Sequence, residues 1–240
     1  LAARENRKEI TQYDLIRSIE KVMLGPERKS HLFSKKEKEL TAYHEGGHAL
    51  VSSILPDADP VHKISIISRG RAGGYTLKLP FEDKKMHTRK SFLDDIAATL
   101  GGYVAEEMVY GDITTGPSND LAVVTALAQD MVARYGMSDV IGPVAFSADR
   151  GLGHEAYSPA IAGKIDTEVT RIIEEARVRA REVLEKHRGA LNAIAKKLVE
   201  VETLEREEFE KLLIANGITP KSKEVEGVDI VNNLIPPTEG

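Results

Sequence analysis

Cysteine is absent from the chain. That excludes disulfides, thiolate metal sites and a cysteine nucleophile, and it fits a reducing compartment. Aromatic residues make up only 5% of the sequence and the net charge is a mild −5. Neither a basic footprint for nucleic acid nor a polyanionic tail is present. No apolar run approaches the roughly 18 residues of a membrane-spanning helix, and no signal peptide is visible. The G-x-x-x-x-G-K-[ST] loop is missing, so ATP binding by that route is not expected. The first residue is Leu1, in helix-like surroundings, and the sequence is therefore expected to be an excised, soluble piece of a longer protein.

What is present describes a folding chain. Its 240 residues are 41% apolar and 30% charged, enough for one domain with a real core, or a domain plus a fragment. Residues 1–24 read as two short helices. In the second, Thr11 caps, Asp14 follows three residues on, and Leu15, Ile16, Ile19, Val22 and Met23 recur at helical spacing. "GPERKS" (25–30) is a break. Ser34 and Glu37 form an S-x-x-E capping box that opens a helix from Lys35 to about Leu55, where Pro56 stops it.

The sequence then changes period. "VHKISIIS" (61–68) and "GYTLKL" (74–79) flank the turn-rich "RGRAGG" and predict a hairpin or small sheet. Helical patterning returns from Thr88 to Gly111, from a Ser118 cap to Gly136, and from Ser158, with Pro159 behind it, to Gly189. Two shorter helices are predicted near 190–201 and 204–216, followed by a polar tail. The fold class is thus mainly α, with a small β element.

Chemistry concentrates in "AYHEGGHALV" (42–51). His44 and His48, four apart on a helix, point their rings the same way one turn apart. Two such imidazoles can hold zinc at about 2.0–2.1 Å each. Glu45 lies beside them, placed to take a proton from metal-bound water. This is H-E-x-x-H. A chance pair would normally lie on a solvated face. Ala42, Ala49, Leu50 and Val51 mark this helix as largely buried, and unliganded polar groups there would cost several kcal/mol, roughly, in desolvation. Gly46 and Gly47 weaken a helix by about 0.8–1.0 kcal/mol each and suggest close approach by another backbone. The residues alone leave the third ligand open among His62, His87, Glu106, Glu107, Asp112, Asp120 and His154. The glycine-spaced third histidine of longer zincin motifs is absent.

Several ordered stretches together resemble one family, the FtsH-type, membrane-anchored, ATP-dependent zinc proteases. They are "GPERKS", "AYHEGGHALV", "PVHKISIISRG", "GGYTLKLP", "LGGYVAEEMVYGDITTGPSNDL" and "KIDTEV", spread over residues 25–169. The family usually has alanine where Gly46 stands, and residues 148–158 match it poorly. The resemblance implies that His44, His48 and Asp120 bind zinc and that Glu45 is the catalytic base. Glu106 or Glu107 would then support the site rather than bind the ion. It implies a metalloendopeptidase domain over 33–217, a remnant of the small helical AAA+ subdomain over 1–32, and a flexible tail over 218–240. ATP and Mg2+ would belong to a missing ATPase module. The whole protein would be a membrane-anchored homo-hexamer at the cytoplasmic side of a bacterial inner membrane, or at an organelle membrane. Its substrates would be unfolded or misassembled polypeptides. A processive protease should hold substrate by its backbone, so a free edge in "ISIIS" or "GGYTL" is expected beside the zinc. The contrasting reading is a non-enzymatic helical assembly module with a structural metal, which would need four protein ligands and have no use for Glu45.

Overall fold

A computed structural model describes residues 2–25, 34–69, 73–81, 85–146 and 158–222. Most of "GPERKS", the middle of "RGRAGG", the 148–157 segment and all but the first residues of the tail lie outside these. The fold is mainly α with one three-stranded antiparallel sheet, as the hydrophobic periods predict. A short 3-10 turn, Ala2–Glu5, precedes α1, Gln12–Leu24. Leu15, Ile19 and Val22 on α1 are exposed, so its apolar stripe does not join the core.

Helix α2, Lys35–Ile54, is central. Its capping box forms in full: Glu37 N–H donates to Ser34 Oγ at 3.2 Å, and Ser34 N–H to Glu37 Oε2 at 2.8 Å. Its first two turns are solvated, whereas Ala42, Gly46, Gly47, Ala49, Leu50 and Val51 are buried further along. That buried part packs against α4 (Gly101–Tyr110) and α7 (Arg188–Val201).

The predicted hairpin exists as β1, Val61–Ser65, and β2, Tyr75–Lys78. A third strand, β3 (Thr203–Glu205), pairs on the other side of β1, giving the order β2-β1-β3. The sequence pattern predicts a helix from about 204, whereas the helix begins as α8, Arg206–Ala215. Three residues are too few to show a period. The strand forms because Glu202, in the left-handed region at φ 63°, turns the chain back after α7. Its carbonyl then accepts from Ile66 N–H at 3.0 Å.

The helix expected from 88 to 111 is two helices, α3 (Arg89–Thr99) and α4, joined at Leu100. The break sits where Gly101 meets Gly47 of α2: a Cβ on Gly47 would lie 2.3 Å from the Gly101 carbonyl oxygen. Helix α5, Ser118–Ala133, has Pro117 rather than Ser118 at its cap position, so Ser118 does not cap. Val124, Met131 and Val132 are buried, whereas Leu121 and Tyr135 are exposed. Helix α6, Pro159–Lys186, starts as expected, with Ser158 Oγ accepting from Ile161 N–H. It ends at His187, and Gly189 lies within α7. Ile96, Leu100, Ile172, Leu184, Ile194, Leu198 and Phe209 fill the core around α2.

Candidate metal centre

The buried half of α2 presents His44 and His48 from one face, with ring centroids 4.6 Å apart. Their Nε2 atoms are 3.0 Å apart. Asp120, in the first turn of α5, brings Oδ2 to 3.2 Å from His44 Nε2 and 3.4 Å from His48 Nε2. A tetrahedral zinc with ligands at about 2.0–2.1 Å requires ligand atoms about 3.3 Å from one another. The triangle therefore has the size a zinc ion needs. It is the one such cluster of metal-ligating side chains among the described residues.

Hydrogen bonds on the far side of each ring decide which nitrogen faces the cluster. His48 Nδ1 lies 3.0 Å from the Ala98 carbonyl oxygen, in the last turn of α3. That oxygen only accepts and lies closer than the Gly102 N–H, which stands 3.3 Å from the same nitrogen; the shorter contact favours the proton on Nδ1, leaving Nε2 its lone pair. His44 Nδ1 lies 2.8 Å from Glu106 Oε1. Glu106 is buried on α4, and its other oxygen accepts from Thr114 N–H at 3.1 Å and Thr114 Oγ1 at 2.8 Å. A carboxylate behind a ligating imidazole fixes its tautomer and strengthens it as a ligand. Gly102 makes room for the pair: a Cβ there would stand 2.6 Å from His48 Nε2 and from His44 Cε1.

The electrostatics suit a cation. Burial pulls the His44 pKa down, but hydrogen bonds to Asp120 and Glu106 outweigh it and raise it to about 10. Burial likewise pushes Asp120 up, yet its bonds to His44 and His48 hold it below the usual carboxylate range. Burial pushes Glu106 up as well, but its bonds to His44 and to Thr114 together hold it low. A divalent ion would take the place of the proton these groups share.

Glu45, 5% exposed, lies beside the cluster rather than in it. Burial raises its pKa, opposed by the two histidines and by Thr76. Thr76 Oγ1, on β2, donates to Glu45 Oε2 at 2.8 Å.

The other candidates read from the sequence stand elsewhere. Glu107 pairs with Arg177 at 3.2 Å and Arg181 at 2.6 Å, both on α6. His87 is exposed and stacks on Phe92 with ring centroids 5.3 Å apart. Asp112 is exposed and accepts from Ile113 N–H at 2.8 Å. His62 is on β1, outside the cluster, and His154 lies outside the described residues. Sequence reasoning missed Thr76, Thr114, Gly102 and the Ala98 carbonyl. None carries a local signal, because each acts on a residue remote in the chain.

The cluster opens into a cleft of about 1050 Å³. Arg69, Tyr75, Thr76 and Lys78 line its sheet side, and Ser118 and Asn119 its α5 side.

Residues 31–212 match the description "Peptidase family M41". The chain belongs to this family. It is similar to the ATP-dependent zinc metalloprotease FtsH 1 of Conexibacter woesei, 48% identical with 89% of this chain and 34% of the relative covered. The FtsH protein of Thermotoga maritima is 46% identical, with 89% and 36% covered, and that of Bacillus subtilis 41% identical, with 100% and 39% covered. This M41 chain therefore spans 34–39% of the length of these curated relatives. The family resemblance read from the motifs is borne out. In this M41 chain no described helix is long and apolar enough to cross a membrane.

Proposed function

We propose that the chain is a zinc-dependent endopeptidase domain, with His44, His48 and Asp120 as metal ligands and Glu45 as general base. One observation carries this reading: three ligand atoms spaced for one tetrahedral ion, with a buried carboxylate beside them and an open cleft in front. Zinc held there would lower the pKa of a bound water to about 7 and polarise a scissile carbonyl. The chain's own residues do the rest. Glu106 and the Ala98 carbonyl aim the two imidazoles. Burial keeps the Glu45 carboxyl basic enough to accept a proton and pass it to the leaving amine.

Substrate would bind as an extended strand on β2. β1 is paired on both sides at Lys63, Ile64 and Ser65, whereas β2 has no second neighbour among the described residues. Leu79 N–H bonds back to Pro60. By alternation, the N–H groups of Thr76 and Lys78 point outward, on a strand that lines the cleft.

Metal analysis alongside peptide hydrolysis tests the reading. About one zinc per chain is expected, with Glu45→Gln inactive but still loaded. A loaded Glu45→Gln that cuts peptides at the wild-type rate would leave only a structural metal. A structural site requires four protein ligands, whereas three converge here among the described residues.

The domain boundaries at 32/33 and 217/218 belong to the same proposal. So do a hexameric, membrane-anchored whole protein driven by a separate ATPase module, its position at the cytoplasmic side of a membrane, and unfolded or misassembled polypeptides as substrates. The relatives' printed names, which say ATP-dependent zinc metalloprotease, and their greater length support the separate ATPase module; the rest follows from the family resemblance alone. In the full-length protein, destroying a folded substrate should require ATP, whereas cutting a short peptide should not. Equal ATP dependence for both would count against a separate motor.

A further inference from the structure

We propose that β2 clamps the base: Thr76 and Gly74, two residues apart and on one face of the chain, fix where the Glu45 carboxylate stands during hydrolysis. The proposal rests on the peptidase reading above and concerns what aims its base.

Helix α2 sets the position of the Glu45 backbone, but not its carboxyl group. A glutamate side chain has three rotatable bonds, and a base that samples several rotamers is correctly placed only part of the time. Thr76 Oγ1 donates to Oε2 at 2.8 Å and also lies 3.2 Å from the Glu45 carbonyl oxygen. Gly74 acts on the other oxygen. A Cβ at that position would lie 2.8 Å from Oε1, 2.9 Å from Cγ and 2.8 Å from the Ser65 carbonyl oxygen. One carboxylate oxygen is thus held by a hydroxyl, and the other occupies space that only glycine leaves. Ser65 belongs to β1 and pairs directly with Tyr75, so Gly74 cannot retreat without disturbing the sheet.

The clamp also couples base to substrate. The Thr76 side chain holds Glu45, while its backbone N–H faces the side where an extended peptide would pair. The register of the bound peptide and the position of the base are then set by one strand. Thr76 is a positioning residue: it touches Glu45, not the scissile bond.

The test uses zinc-loaded protein. Thr76→Val keeps the side chain's size and removes the donor. The expected result is a kcat for peptide hydrolysis lower by about 10–100-fold, with KM within about twofold and zinc content unchanged. Thr76→Ser, which keeps the hydroxyl, should retain most of kcat. Gly74→Ala, which pushes Oε1 aside, should behave like the valine variant. In crystals of zinc-loaded Thr76→Val, the Glu45 carboxylate should be displaced by about 1 Å or more. Wild-type kcat in Thr76→Val would overturn the proposal. So would an equal loss in Thr76→Ser, or an unmoved carboxylate in the crystals. If Glu45→Gln is inactive while Thr76→Val is unimpaired, the clamp falls and the peptidase reading stands. If Glu45→Gln hydrolyses normally, both fall.

Discussion

Gly46 and Gly47 are adjacent and chemically identical, yet they answer to different neighbours. A Cβ on Gly46 would stand 3.3 Å from Ile194 Cγ2, the end of a side chain that can shift. A Cβ on Gly47 would stand 2.3 Å from the Gly101 carbonyl oxygen and 2.8 Å from Ala105 Cβ, where backbone would have to move. Gly46→Ala should therefore change stability by less than about 1 kcal/mol, because gained helix propensity offsets mild crowding. Gly47→Ala should destabilise by about 1–3 kcal/mol or more, by forcing α2 and α4 apart. Urea midpoints of the two variants give the comparison, and equal midpoints would mean that the α2–α4 contact yields. Also at this scale, Glu106→Ala removes the acceptor behind His44. Zinc affinity should fall about 10–100-fold by chelator competition, with the three ligands intact. Unchanged affinity would show that His44 is aimed without it.

Individual elements carry their own consequences. Helix α6 buries Glu168, which accepts from Arg171 Nε at 3.0 Å and from Ser138 Oγ at 2.8 Å. The Arg171 guanidinium, chiefly, holds its pKa below the ordinary 4.5. The folded state therefore prefers the ionised form. This contribution is present above the ordinary value and is lost as pH falls through the lower, folded one. The stability gap between wild type and Glu168→Gln should shrink as pH is taken from about 6 to about 3. A gap that does not vary with pH would remove the ion pair from the account. Strand β2 offers a second test. Lys78→Pro deletes an outward N–H while leaving the inward bonds of the ladder. Peptide KM should rise several-fold with zinc content intact, and unchanged kinetics would dispose of edge pairing.

Over the whole molecule, the metal would join elements that the chain order keeps apart. His44 and His48 lie on α2 and Asp120 on α5, so an ion bound by all three ties two helices together in the folded state alone. Chelation should lower the thermal midpoint of the wild type and leave that of Asp120→Ala nearly unmoved. Asp120→Ala itself should copurify with little zinc. Full retention of zinc in that variant would remove Asp120 from the ligand set.

Much of this was legible in the sequence because it is local. The capping box that opens α2 spans four residues, and both its hydrogen bonds form. The spacing of His44 and His48 puts two rings on one helical face whatever surrounds them, and the alternation in "GYTLKL" sufficed to predict β2. Distance in the chain hid the rest. Glu106 acts on His44 across 62 positions and Thr76 on Glu45 across 31. The residues themselves left the third ligand open among seven. Only the family resemblance pointed to Asp120 over its neighbours, and no motif marked Thr76 at all. Those pairings exist because α4 and β2 pack on α2, through two facing glycines in the case of α4, while α5, seated on α3 and α6, brings its first turn to the histidines. Short-range hydrogen bonding and periodicity are written along the chain. Which carboxylate meets which imidazole is settled by how whole elements fill space together, and no single stretch of sequence contains that information.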